Sequence, residues 1–166
     1  MVLVIIGPMG CGKSTIGIML ARRLGWDFED GDDYHPPENV EKMRAGIALD
    51  DSDRQGWLNT LRTRIDGRLE RDEHLILACS ALKQSYRQIL GIDQRTVISV
   101  YLKGTVELLE ERLRSRHHQY MNNALLTSQV QTMEEPQGGI IIDIDQSPES
   151  ICSEIIEKLK PYGYIS

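Results

Sequence analysis

Eight consecutive residues, Gly7-Pro8-Met9-Gly10-Cys11-Gly12-Lys13-Ser14, satisfy the pattern G-x-x-x-x-G-K-[ST] in full, and Thr15 follows. The spacing has a chemical reason. The glycines let the backbone wrap so that successive N–H groups face phosphate oxygens. A helix that starts at the end of the loop adds the positive end of its dipole. Lys13 is placed to reach the β- and γ-phosphates, and the Ser14 hydroxyl to ligate Mg²⁺. Cys11 occupies a variable position of the loop, where a small residue fits. The expected ligand is therefore MgATP or a relative of it. The loop alone does not choose among a kinase, a GTPase and a motor ATPase. The guanine-reading pattern N-K-x-D is absent from the sequence, which disfavours a GTPase. With the loop close to residue 1 and a chain of 166 residues, a small-molecule kinase is the favoured reading.

A kinase needs a second substrate beside the γ-phosphate, and several residues offer a site for it. Asp30-Gly31-Asp32 falls just after a short second strand, where ligands bind in open parallel sheets. A carboxylate there, Asp32 above all, can orient or deprotonate an attacking hydroxyl, or hold Mg²⁺ through water. His35 follows closely and is read as a substrate contact. Asp50-Asp51-Ser52-Asp53-Arg54 opens a long helix. Its carboxylates suit a helix N-terminus. Arg54 does not, and so is expected to face an anion; a planar guanidinium is a natural carboxylate clamp. Lys83 and Arg87 lie four apart after a third strand and are expected to share a helical face, giving a second anion contact.

Stepping outward, these residues need a frame. Val2-Leu3-Val4-Ile5-Ile6 is a continuous aliphatic run, as in a strand buried on both faces of a parallel sheet. A helix follows over 13–24 and stops at Gly25. Further strands are expected at 26–28, 74–79, 96–102 and 140–144. Between them, helices are expected at 53–70, where Trp57, Leu61, Ile65 and Leu69 form one stripe, and at 106–114. Ser147-Pro148 opens a last helix, with Ser as N-cap and Pro at its first position. Five strands alternating with helices predict an α/β fold with a parallel sheet. The polar stretch 114–139 has no strand pattern and reads as an excursion from the sheet layer, such as a lid.

Composition agrees and excludes other classes. Lys and Arg number 19 against 25 Asp and Glu, a formal charge of −6, which argues against nucleic acid as the main partner. No apolar run approaches the length of a membrane span, and no signal-peptide pattern is present. Three cysteines, far apart and without a metal-ligand spacing, suit a reducing, cytoplasmic setting. Residues 1–166 are expected to form a single domain.

Longer patterns carry a resemblance. Asp30-Gly31-Asp32-Asp33-Tyr34-His35-Pro36, then Asn39, Lys42-Met43, Gly46, Leu49 to Arg54 and Trp57-Leu58, resemble gluconokinases. So do Ala78-Cys79-Ser80-Ala81-Leu82-Lys83 with Tyr86-Arg87, and later Leu102-Lys103-Gly104, Gln129, Glu135-Pro136 and Asp143-Ile144-Asp145. The resemblance covers nearly the whole chain. It implies phosphorylation of D-gluconate at its 6-hydroxyl with MgATP, giving 6-phosphogluconate and ADP for the pentose phosphate pathway. It implies a P-loop three-layer αβα sandwich with a five-stranded parallel sheet and a helical lid, and commonly a homodimer. Asp32 would lie near the attacking hydroxyl. His35, Arg54, Lys83 and Arg87 would surround the polyol and its carboxylate. Gly7 to Thr15 would hold the ATP phosphates, and Arg112 and Arg116 would cover the transferring phosphoryl group. The remaining readings are a kinase for another small hydroxy acid or a nucleoside monophosphate, and a nucleotide-binding regulatory protein without turnover. The chain departs from the family at Gly56, where a proline is usual, and in Arg116-His117-His118-Gln119-Tyr120-Met121. There His118 stands for a glycine and Gln119 for a histidine, changes that would alter lid closure.

Overall fold

The computed structural model describes residues 1–115 and 123–164. The expectations for Arg116 and for the altered segment His117 to Met121 lie outside the described residues. Five parallel strands form one sheet in the order β2-β3-β1-β4-β5: β1 Val2–Ile6, β2 Asp27–Asp30, β3 Leu75–Ala78, β4 Val97–Lys103 and β5 Ile140–Asp143.

The aliphatic run of β1 explains the layering. Successive side chains of a strand point to opposite faces. Leu3 and Ile5 enter a core with Ile16 and Leu20 of α1 (Lys13–Leu24), Leu109 and Leu113 of α5 (Val106–Ser115), and Ile151 and Ile155 of α7 (Pro148–Leu159). Val2, Val4 and Ile6 enter a second core with Trp57, Leu61 and Ile65 of α3 (Asp51–Glu70) and Tyr86 and Leu90 of α4 (Gln84–Leu90). The result is an αβα sandwich whose central strand is buried from end to end.

Helix ends follow local chemistry. Ser147 accepts a hydrogen bond from the Ser150 N–H, with Pro148 at the first helical position. α3 starts two residues before the expected position because Asp50 and Asp53 form a reciprocal capping box. The second strand runs over Asp27–Asp30 rather than 26–28. Its acidic residues are tolerated at the sheet edge because Arg64 and Arg68 of α3 pair with Glu29 at 2.6 and 3.0 Å, and Arg68 also pairs with Asp27. Two helices carry too few apolar residues to be visible as stripes: α2 (Pro37–Arg44) and, inside the 114–139 excursion, α6 (Asn123–Thr132), which buries only Leu125 and Leu126. No helix among the described residues is long and apolar enough to cross a membrane.

Candidate active site

The β1–α1 loop, the turn after β2 and the start of α3 meet at the carboxyl end of the sheet. They enclose a cavity of about 210 Å³ with Lys13, Ser14, Asp30, Asp32, His35, Arg54 and Trp57 in its wall. In the phosphate loop, Gly7, Gly10 and Gly12 have φ of 145°, 85° and 96°, values that favour glycine and turn the backbone around a concave path. Gly10 and Gly12, with Met9, line the cavity; Gly7, Pro8 and Cys11 are buried beneath it. Cys11 is fully buried, as a small packing residue would be. Thr15 is exposed on the first turn of α1. Lys13 Nζ donates to the carbonyls of Gly7 and Pro8 at 2.9 and 3.2 Å, so its charge stays inside the loop.

Asp30 ends β2 and joins the loop to the acceptor side. Its Oδ2 accepts from Ser14 Oγ at 2.7 Å, and its Oδ1 accepts from the Asp32 N–H at 3.0 Å. The pair of Ser14 hydroxyl and Asp30 carboxylate is a hard oxygen set beside the phosphate cradle, and its chemistry fits Mg²⁺. Gly31 is required by close approach: a Cβ there would lie 2.7 Å from the Ala78 carbonyl oxygen. The Trp57 indole N–H donates to Gly31 O at 2.7 Å and fixes this turn to α3.

Asp32 faces the cavity with 58% of its side chain exposed, and His35 Nε2 stands 3.6 Å from its Oδ1. His35 is stacked on Trp57 with ring centroids 4.1 Å apart. Burial, reinforced by the Arg54 charge, pushes its pKa down to about 4, so the imidazole is neutral at physiological pH. A neutral imidazole beside Asp32 serves as a hydrogen-bonding wall, not as a cation. Arg54 is 8% exposed and donates to Tyr86 Oη at 3.0 Å.

Two cations take other positions than expected. Lys83 and Arg87 do not share a helical face, because α4 begins at Gln84 and Lys83 is its extended N-cap. Lys83 does not line the cavity; its Nζ pairs with Asp51 Oδ1 at 3.0 Å. Arg87 is 3% exposed and donates to the carbonyls of Ala81, Leu82 and Glu134. It ties the segment after α6 to the turn after β3, where Ala81 is held at a φ of 41°. Ser80 of that turn accepts from the Gly7 N–H at 3.2 Å and lines the cavity, so Arg87 shapes the wall without reaching it. Arg112 lies against the phosphate loop, but its guanidinium is occupied by Ile144 O at 2.6 Å and Cys11 O at 3.5 Å. The expected convergence of six cations therefore reduces, among the described residues, to Lys13 and Arg54 in the wall, opposed by Asp30 and Asp32.

Asp30, Trp57 and Gln129 are wall residues whose part in the site exceeds what the sequence assigns them. Asp30 is expected only as the lesser carboxylate of the Asp30-Gly31-Asp32 pair. Trp57 was read as core, and its stripe position concealed the indole edge. Gln129 of α6 accepts from the Met9 N–H at 2.7 Å and so links the excursion to the phosphate loop. Only its place in the longer resemblance pointed to it, since a lone Gln has no periodic or spacing signal.

Known proteins resemble this chain in sequence and fold. A family model described as shikimate kinase matches residues 9–160. A probable gluconokinase of Xenopus tropicalis is 40% identical over 174 residues, covering 93% of this chain and 91% of that one. A solved gluconokinase of Sinorhizobium meliloti 1021 superposes with a TM-score of 0.85 at 36% identity, over 96% of this chain and 91% of that one. Shikimate kinase of Aquifex aeolicus has the same fold, with a TM-score of 0.62 at 20% identity and 97% of each chain covered. The chain is a kinase of the P-loop class that uses ATP, and it belongs to the gluconokinase family.

Proposed function

We propose that the chain transfers the γ-phosphoryl group of ATP to the 6-hydroxyl of D-gluconate, giving 6-phosphogluconate and ADP. The observation that carries the reading is one cavity that holds the phosphate-loop Lys13 together with the Asp32 carboxylate and the Arg54 guanidinium. The phosphate-loop amides and Lys13 would cradle the transferring group, where fixed positive charge lowers the barrier. Asp32 would accept the hydrogen bond of the attacking hydroxyl and take its proton as the new O–P bond forms and the bond to the ADP oxygen breaks. Loose phosphoryl-transfer transition states ask little base strength, so orientation is the larger part of that task. Arg54 would pair with the sugar-acid carboxylate at the far end of the acceptor, beside the neutral His35. Ser14 and the adjoining carboxylates would hold Mg²⁺, which would supply neutralising charge to the ATP phosphates.

The same reading makes residues 1–166 a single kinase domain. It makes the protein a cytoplasmic homodimer, and its product a feed for the pentose phosphate pathway. Its three cysteines are all free and buried, which suits a reducing compartment. Arg87, Lys83 and Arg112 act in this scheme as supports of the wall and loop.

ADP release, followed with gluconate, shikimate and nucleoside monophosphates in turn, tests the assignment. Gluconate-dependent release is expected. Release with shikimate or a nucleotide but not with gluconate would overturn the acceptor, and ATP binding without any phosphorylated acceptor would overturn the enzyme reading.

A further inference from the structure

Arg54 is the second cation of the wall beside Lys13 among the described residues, and its partners set it apart. Among the described residues no carboxylate lies within ion-pair distance of it; its guanidinium donates to a neutral phenol, Tyr86 Oη, at 3.0 Å. The Tyr86 ring also lies beneath the guanidinium, with the Arg54 Cζ 5.4 Å from the ring centroid. The hydroxyl that accepts from Arg54 donates in turn to Asp51 Oδ1. Asp51 is held from the other side by Lys83 Nζ at 3.0 Å, and that ammonium also sits 5.6 Å from the Tyr86 centroid. Both partners register the link. Burial and the Asp51 carboxylate hold the Tyr86 phenol above its usual range, so it stays protonated. The Tyr86 hydroxyl and Lys83 hold Asp51 below its usual range.

We infer that Tyr86 is a positioning residue, which, braced by Asp51 and Lys83, fixes the Arg54 guanidinium in orientation without neutralising it. The inference rests on the reading of Arg54 as the carboxylate clamp. A carboxylate partner in direct contact would orient Arg54 equally well, but it would compete with the incoming acid for the same charge. A phenol relays the orientation and leaves the positive charge for the substrate. The carboxylate that completes the chain is set one side chain back, where Lys83 offsets its charge. A planar guanidinium held in advance loses less freedom when a sugar-acid carboxylate binds. Lys83 thus acts on the acceptor through Asp51 and Tyr86 rather than by touching it.

Tyr86→Phe keeps the ring and removes the link. The expected result is a three- to tenfold rise in KM for gluconate, with kcat and KM for ATP within twofold of wild type. Arg54→Ala alone should raise the same KM more, and adding Tyr86→Phe to it should change nothing further. Lys83→Met should raise KM alone but add little to Tyr86→Phe. Equal rises in both Michaelis constants, additive effects of Tyr86→Phe and Arg54→Ala, or a full Lys83→Met effect in the Tyr86→Phe background would each overturn the inference. The brace is also read without any acceptor, from the Arg54 Nε–H resonance, assigned by its loss in Arg54→Ala. It should be sharp in the wild type and exchange-broadened in Tyr86→Phe; an unchanged line overturns the brace. A wild type that shows the sharp line but no gluconate-dependent turnover removes the acceptor assignment and leaves the brace standing.

Discussion

The residues around the cavity divide by what already occupies them. Among the described residues Lys13 holds the backbone carbonyls of Gly7 and Pro8 and, more weakly, the Cys11 Sγ of its own loop, which phosphate oxygens can replace with stronger, charge-assisted bonds. Asp32 stands at the cavity with more than half of its side chain in solvent, beside an imidazole that burial keeps neutral. Arg87, by contrast, is already engaged by three backbone carbonyls and has one buried Nη without a partner among them. Lys13→Ala should lower kcat by roughly 10²-fold or more, the scale for losing one transition-state donor. Asp32→Asn should lower it by about 10²- to 10⁴-fold, the range for a positioned proton acceptor. Steady-state kinetics with circular dichroism check both; turnover within threefold of wild type in a folded Asp32→Asn protein would remove Asp32 from the reaction.

At the scale of elements, the site depends on two backbone meetings and one side-chain clamp. The phosphate loop touches the turn after β3 through Gly7 and Ser80, and the turn after β2 lies on the end of β3 at Gly31. α3 clamps that second turn through Trp57. Gly31→Ala would drive a Cβ against the Ala78 carbonyl and the Leu61 side chain, the first of which is strand backbone and cannot yield cheaply. A loss of about 1–3 kcal/mol is expected, the usual cost of overpacking. It should come with a rise in KM for the acceptor, because Asp30 and Asp32 flank the glycine. Urea titration and acceptor kinetics measure the two together, and a fully stable variant with unchanged KM would show that the turn has slack.

The whole molecule inherits a pH dependence from this packing. His35 titrates near 6.5 when exposed and near 4 in the fold, so burial favours its neutral form. Its contribution is fully present above about pH 6.5 and is lost as pH falls toward 4, where the unfolded chain takes up a proton that the folded chain refuses. The shift corresponds to about 3 kcal/mol over that window. Urea midpoints at pH 7.5 and pH 4.5 should therefore separate more for the wild type than for His35→Gln. Parallel losses would show that other groups carry the acid sensitivity. The charge of −6 acquires a location in the same view. The cavity mixes Lys13 and Arg54 with Asp30 and Asp32, and the acidic excess sits elsewhere on the chain.

The features legible in the order of residues are ones that act through neighbours along the chain. The phosphate loop is written in contiguous residues, because its glycines, lysine and serine act through one stretch of backbone. A parallel sheet covered on both faces was legible from the unbroken aliphatic run of β1, and the αβα sandwich itself from the resemblance. The caps of α7 were legible because Ser147 bonds its own helix. The polar helices α2 and α6 were not, since so few of their residues face a core. Tertiary structure alone decided which charged residues stay available. Lys83 and Arg87 are four apart, the spacing of one helical face, yet the N-cap extension of Lys83 sends it to Asp51 while Arg87 turns to the backbone. The link from Met9 to Gln129 spans 120 residues, and that from Arg54 to Tyr86 spans 32. A hydrogen bond is satisfied by whichever partner the fold brings within about 3 Å, and spacing along the chain cannot name that partner.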